Sequence, residues 1–151
     1  MRAEEDILER WFERTVESYP KETMRFLATE KDPFRNPVGH ALRENLGLLV
    51  RELCGEMELS RVAPALEAIV RLRAVQDLSP SEAVGFTFML RPIVDELLPK
   101  PEAAILNRNI DRLALLACEE YARCRERLSD IRLNERRRAM AVPAAMAQAR
   151  S

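Results

Sequence analysis

The sequence predicts an all-α fold: a six-helix bundle from which a long last helix projects. Three observations predict it. Apolar residues recur every three to four positions along most of the chain, no segment alternates with the period of two that a strand requires, and the periodic runs are bounded by capping residues or by proline and glycine. A chain of 151 residues buries roughly 70% of its unfolded surface as one domain, so its core needs no metal or disulfide. The expected organisation is a single helical domain over 1–138, with 102–138 as the long terminal helix, followed by a flexible tail over 139–151.

The first helix is predicted over 4–18. Ile7, Leu8, Trp11, Phe12, Thr15, Val16 and Tyr19 form one stripe, and Glu5, Glu9, Arg10, Glu13, Arg14 and Glu17 lie opposite. Pro20 cannot continue that ladder but suits the first turn of a second helix over 20–31, which offers Met24, Phe26 and Leu27 to the core. Asp32-Pro33 and Asn36-Pro37 then impose an extended loop, because a residue before proline is pushed out of the α region. A third helix follows Gly39 and runs to 53 on the stripe Leu42, Leu46, Leu49 and Leu53, with Gly55 marking its end.

Ser60 is the expected cap of a fourth helix over 61–76, where Val62, Leu66, Ile69 and Val70 share a face with Arg73 and Gln76. Ser79, Pro80 and Glu82 then spell a capping box with proline at the first helical position, the most specific boundary signal in the chain. The fifth helix is predicted over 80–98. Its segment AVGFTFML, 83–90, is apolar on every side and belongs in a core or a permanent interface. Gly85 would admit a second backbone, Pro92 is expected to kink the helix, and Pro99 and Pro101 end it.

The last helix, 102–138, would be roughly 55 Å long at 1.5 Å per residue, against a radius of gyration near 15 Å for a domain of this size. It must overhang the globule or lie along its longest dimension. Leu106, Ile110, Leu113, Ala117, Tyr121, Cys124, Leu128 and Ile131 follow steps of four and three, a seam that a partner helix can share. Gly85, Phe86 and Phe88 from the fifth helix and Tyr121, Leu128 and Ile131 from the last are the candidate interface of a homodimer.

Composition removes several classes of function. The net charge is −1, with 47% apolar and 32% charged residues. Nucleic-acid binding needs clustered, uncompensated Lys and Arg, so no nucleic-acid partner is expected. Cys54, Cys118 and Cys124 form an odd set without C-x-x-C spacing, which points to a reducing compartment. The N-terminus MRAEEDILER is acidic where a signal peptide is basic and then apolar, and no apolar run reaches membrane-spanning length, so a cytoplasmic location without membrane attachment is expected.

No catalytic constellation is visible. His40 is the single histidine, which excludes a multi-histidine metal site. It is the one candidate for an axial haem ligand, but its place in the first turn of a helix beside a polar, proline-rich loop favours a capping or surface role, and no cofactor is expected. Cys118 and Cys124 lie six apart on different faces of one helix and cannot chelate together. Arg73, Gln76, Asp77 and Glu82 form the candidate polar cluster. Arg73 and Gln76 extend an apolar stripe on which an unpaired guanidinium would be costly. The expected arrangement locks the fourth helix onto the capped start of the fifth, with Asp77 or Glu82 accepting from Arg73; the alternative is the polar end of a small-molecule pocket or a switch in a dimer interface.

Three segments together, WFERTVESYPKETMRFLATEKDPFRNPVG (11–39), RAVQDLSPSEAVGF (73–86) and IDRLALLACEEYARCRERLSDIRLNE (110–135), resemble the N-terminal domain of the RsbT co-antagonist protein RsbRD. The resemblance implies an all-helical bacterial input domain, related to dimeric globin-like domains that lack haem and whose last helix points towards an output domain. It further implies a stress-response signalling role, with a kinase or a STAS-type regulator as protein partner. The chain stops after the projecting helix, so no STAS domain and no phosphorylatable threonine of one is expected. Taken together, the reading is a non-catalytic sensory or regulatory domain that signals through its last helix, with a haem or small-molecule sensor, or a structural subunit of a larger assembly, as the alternatives.

Overall fold

Every regular element among the described residues is helical. They are α1 (Arg2–Glu17), α2 (Lys21–Thr29), α3 (Pro37–Cys54), α4 (Leu59–Ala74), α5 (Pro80–Val84), a 3-10 turn (Gly85–Thr87), α6 (Leu90–Leu97) and α7 (Lys100–Arg150). The structure, a computed structural model, describes residues 2–19, 21–76 and 78–150, and the side chains of all of these except Glu22, Ala28 and 142–150. Pro20, expected to open the second helix, and Asp77 lie outside the described residues.

The amphipathic stripes of α1, α3 and α4 bury as the periodicity predicts, whereas of the α2 residues offered to the core Leu27 is buried and Phe26 stays exposed. Ile7, Trp11, Phe12, Thr15 and Val16 of α1 face inward, α3 lies between α1 and α4, and α7 packs across α4, α5 and α6. Trp11, Leu42, Leu46, Leu49, Ile69, Phe86, Leu90, Ile110 and Leu113 lie in the fully buried centre.

The loop before α3 is built on one side chain. Asn36 Oδ1 accepts from Gly39 N at 2.9 Å and caps the helix, while its Nδ2 donates to the carbonyls of Leu27 at 3.1 Å and Glu30 at 3.0 Å. One buried carboxamide thereby ties the end of α2 to the start of α3. Gly39 is required by that arrangement, since a Cβ there would lie 2.3 Å from Asn36 Nδ2. The turn from α3 to α4 uses Met57 at φ 54, a left-handed conformation that non-glycine residues rarely adopt; burial of its side chain at 4% exposure offsets the strain. Asn109 of α7 donates to the Leu53 carbonyl at 2.9 Å and satisfies the end of α3.

Two local expectations are corrected. Ser60 is not the cap of α4: the helix starts at Leu59 with Glu58 before it, and Ser60 falls within the first turn. The fifth helix is not continuous, and its break is not at Pro92. It stops at Val84, tightens into the 3-10 turn and resumes at Leu90, which places Pro92 in the first turn of α6, where a missing N–H costs nothing. Within this chain a Cβ added at Gly85 would meet nothing within 4 Å, so the glycine is not required by the monomer's own packing.

The long last helix is present and runs beyond 138 to Arg150. Its inward face is buried from Ala103 through Leu106, Ile110, Leu113, Ala117 and Tyr121 to Cys124. Past Cys124, Leu128 is half-buried and every other described side chain as far as Ala141 is exposed. At 1.5 Å per residue the helix beyond Cys124 is about 39 Å long.

Candidate functional site

Two features stand out: a buried polar node at the break between α5 and α6, and a surface groove where α7 leaves the globule. The node exists because a broken helix inside a core frees carbonyl oxygens that must find donors. Arg73 of α4 supplies two of them, through Nε to the Ala83 carbonyl at 2.7 Å and Nη2 to the Glu82 carbonyl at 2.7 Å. Thr87 Oγ1 donates to the Val84 carbonyl at 2.9 Å, and Trp11 Nε1 of α1 donates to the Phe86 carbonyl at 2.7 Å. The Trp11 and Phe86 rings stack with centroids 5.9 Å apart.

The third arm of Arg73, Nη1, donates to Ser18 Oγ at 2.9 Å just after α1. The guanidinium is 0% exposed, with its Cζ 5.2 Å from the Phe86 ring centre and 5.5 Å from that of Tyr19. Burial lowers its pKa, and the neighbouring Tyr19 opposes that shift; an arginine stays charged regardless. Tyr19 is raised by burial, against the Arg73 charge, and its buried hydroxyl has no hydrogen-bond partner among the described residues.

The predicted polar cluster therefore divides. Arg73 does lock α4 onto α5, but Glu82 receives it through its backbone carbonyl. The Glu82 carboxylate is exposed and completes the capping box, accepting from Ser79 Oγ at 2.6 Å and Ser79 N at 3.3 Å. Those bonds hold its pKa below the usual carboxylate value. Gln76 is exposed, apart from the node.

The candidate interface residues divide as well. Phe86 is 0% exposed and belongs to the monomer core, so it is withdrawn as an interface residue. Tyr121 is also buried; its hydroxyl donates to the Leu78 carbonyl at 3.1 Å, fastening the α4–α5 connection to α7. Gly85 is half-buried, Phe88 is exposed with Arg91 against its ring, and Leu128 and Ile131 lie on the unburied continuation of the seam. Sequence reasoning missed the partners of the node, Trp11, Ser18 and Thr87. An indole N–H in a core needs an acceptor, but which carbonyl it meets depends on where the fifth helix breaks.

The groove at the root of α7 has a volume of about 350 Å³ and is lined by Arg71, Ala74, Val75, Cys124, Arg127, Leu128 and Ile131. Burial raises the Cys124 thiol above its ordinary value, with Glu120 adding to the shift, so it is a neutral part of the wall. His40 sits in the first turn of α3, exposed, 3.8 Å from Glu44, at the edge of a separate depression of about 270 Å³ over Phe12, Leu27 and Gly39. No group of three or more His, Cys, Asp or Glu able to hold a metal occurs among the described residues, and no described helix is long and apolar enough to cross a membrane.

The chain matches the family model of the RsbT co-antagonist protein rsbRD N-terminal domain over residues 5–136. No curated protein and no solved structure matches it.

Proposed function

This chain belongs to the family of RsbT co-antagonist protein rsbRD N-terminal domains, and from that premise we propose that it is a non-catalytic regulatory domain of a stressosome-type signalling system, acting as a cytoplasmic homodimer through its last helix. One observation carries the reading. Burial along α7 stops at Cys124, while the apolar seam goes on through Leu128 and Ile131. Ile131 keeps 52% and Leu133 47% of its surface exposed, and side chains of that kind on a bare helix are satisfied by a second helix.

From Arg123 to Arg138, seven arginines face three acids. That charge keeps the bare segment soluble and biases its contacts towards acidic surfaces. The partner suggested by the family is a kinase or a STAS-type regulator, reached by the projecting helix. The buried node has a different role in this reading: it holds the globule rigid, so that a change of state at α4 and α5 passes to α7 through Tyr121 and Leu78.

Sedimentation equilibrium across the micromolar range tests the dimer, which is expected to appear as a monomer–dimer equilibrium. Only monomer throughout that range would remove it. Affinity capture from the native cell tests the partner, and recovery of a kinase or STAS-type protein is the expected result.

A further inference from the structure

The groove at the root of α7 has a chemistry that the helix-pairing reading does not use. Its volume of about 350 Å³ lies within the range of small-molecule sites, about 300–1,000 Å³. Ala74 and Val75 form one wall, Cys124, Leu128 and Ile131 the other, and Val75 keeps 58% of its surface exposed. The two charged lining residues are both arginines. Arg71 and Arg127 each donate to the same atom, Glu67 Oε1, the latter at 3.5 Å. Glu67 is the one acid either of them pairs with among the described residues. Two guanidiniums thus converge on a single carboxylate, leaving one positive charge and several N–H donors at the rim of an apolar trough.

We propose that this groove binds an amphiphilic monoanion of the medium-chain carboxylate class. The acyl chain lies along Ala74, Val75, Leu128 and Ile131, and the carboxylate sits beside Glu67 on the N–H donors of Arg71 and Arg127 that Glu67 leaves free, planar guanidiniums being suited to it. The stretch from Cys124 to Ile131 rises about 10 Å, a seat for one extended chain of medium length.

Isothermal titration of the full chain with decanoate, and separately with decanol, tests the proposal. Decanoate is expected to bind saturably at one site, and decanol about tenfold or more weakly, since it forgoes hydrogen bonds to charged donors. The exposed pair Arg71→Gln/Arg127→Gln should weaken decanoate by a similar factor and leave decanol unchanged. Val75→Asp should abolish binding of both, and unchanged circular dichroism identifies each variant as folded. Equal affinity for decanoate and decanol, unsaturable uptake, or decanoate binding that the arginine pair does not alter would each overturn the assignment. Leu128 and Ile131 also lie on the seam proposed for the pairing of α7, so sedimentation of the same samples is read beside each titration: saturable decanoate binding by a chain that stays monomeric upholds the groove and removes the dimer, and a dimer that takes up no decanoate does the reverse.

Discussion

The two halves of α7 are made of similar helix-forming residues, yet they depend on different things for their order. Up to Cys124 the helix is a structural member: Leu106, Ile110, Leu113 and Ala117 are at most 6% exposed and pack against α4, α5 and α6. Beyond Cys124 only Leu128 is half-buried among the described side chains, and Ile131 and Leu133 remain about half exposed. Isolated helices are marginal in water, and tertiary packing of an apolar face normally stabilises them. The first half has that packing; the second keeps little of it past Leu128. The contact surface proposed for α7 rests on that difference.

The contrast can be broken at its strongest point. Ile110→Ala, in the packed half, should destabilise the chain by about 3–4 kcal/mol through lost burial and a residual cavity, measured as the urea unfolding free energy. Next comes the node that holds α4 and α5 beneath that half. Arg73→Met should cost about 2–3 kcal/mol, because the Glu82 and Ala83 carbonyls lose their buried donor while the methionine still fills space. A neutral result would mean that the node does not hold the broken helix in place.

Asn36→Ala should cost about 1–2 kcal/mol for the lost cap and ties to α2. Gly39→Ala should cost a similar amount by displacing the same carboxamide. Their combination should be far from additive, because once Asn36 is gone alanine suits the helix better than glycine. A double-mutant cycle measures this coupling, and additive costs would refute the clash.

A smaller, pH-dependent effect belongs to the capping box. The Glu82 pKa is depressed by its bonds to Ser79, so the contribution is present above the ordinary carboxylate value and lost as pH falls through the lower, folded one. Stability measured across the acid range should decline less steeply in Glu82→Gln than in the wild type.

Much of this was legible in the residues, and what was not has a physical reason. The stripes of α1, α3 and α4 and the Ser79–Glu82 box depend on local periodicity and capping, and they fold as written. The last helix was legible for the same reason over 102–138, though it runs on to Arg150. The break after Val84 was not: AVGFTFML satisfies a continuous helix as well as a broken one, and the choice rests on donors 10 residues away at Arg73 and 75 away at Trp11. Phe86 was misplaced at an interface because a segment apolar on all sides does not say whether its own chain or another covers it. Pro92 drew attention from the break for a related reason, since a proline marks a boundary without saying which side of it the helix lies on. The α7 groove went unseen because Arg71 and Arg127 are 56 residues apart in sequence and meet only at Glu67.

The most direct test compares sedimentation velocity of the wild-type chain with that of Ile131→Arg, alongside the urea midpoint of each. Ile131 lies outside the buried core and keeps 52% of its surface exposed, so its replacement should change monomer stability by no more than about 0.5 kcal/mol. The expected result is a dimer that Ile131→Arg converts to monomer without moving the monomer's intrinsic stability. A wild type that sediments as monomer at micromolar concentration, or a dimer indifferent to arginine at 131, would contradict it.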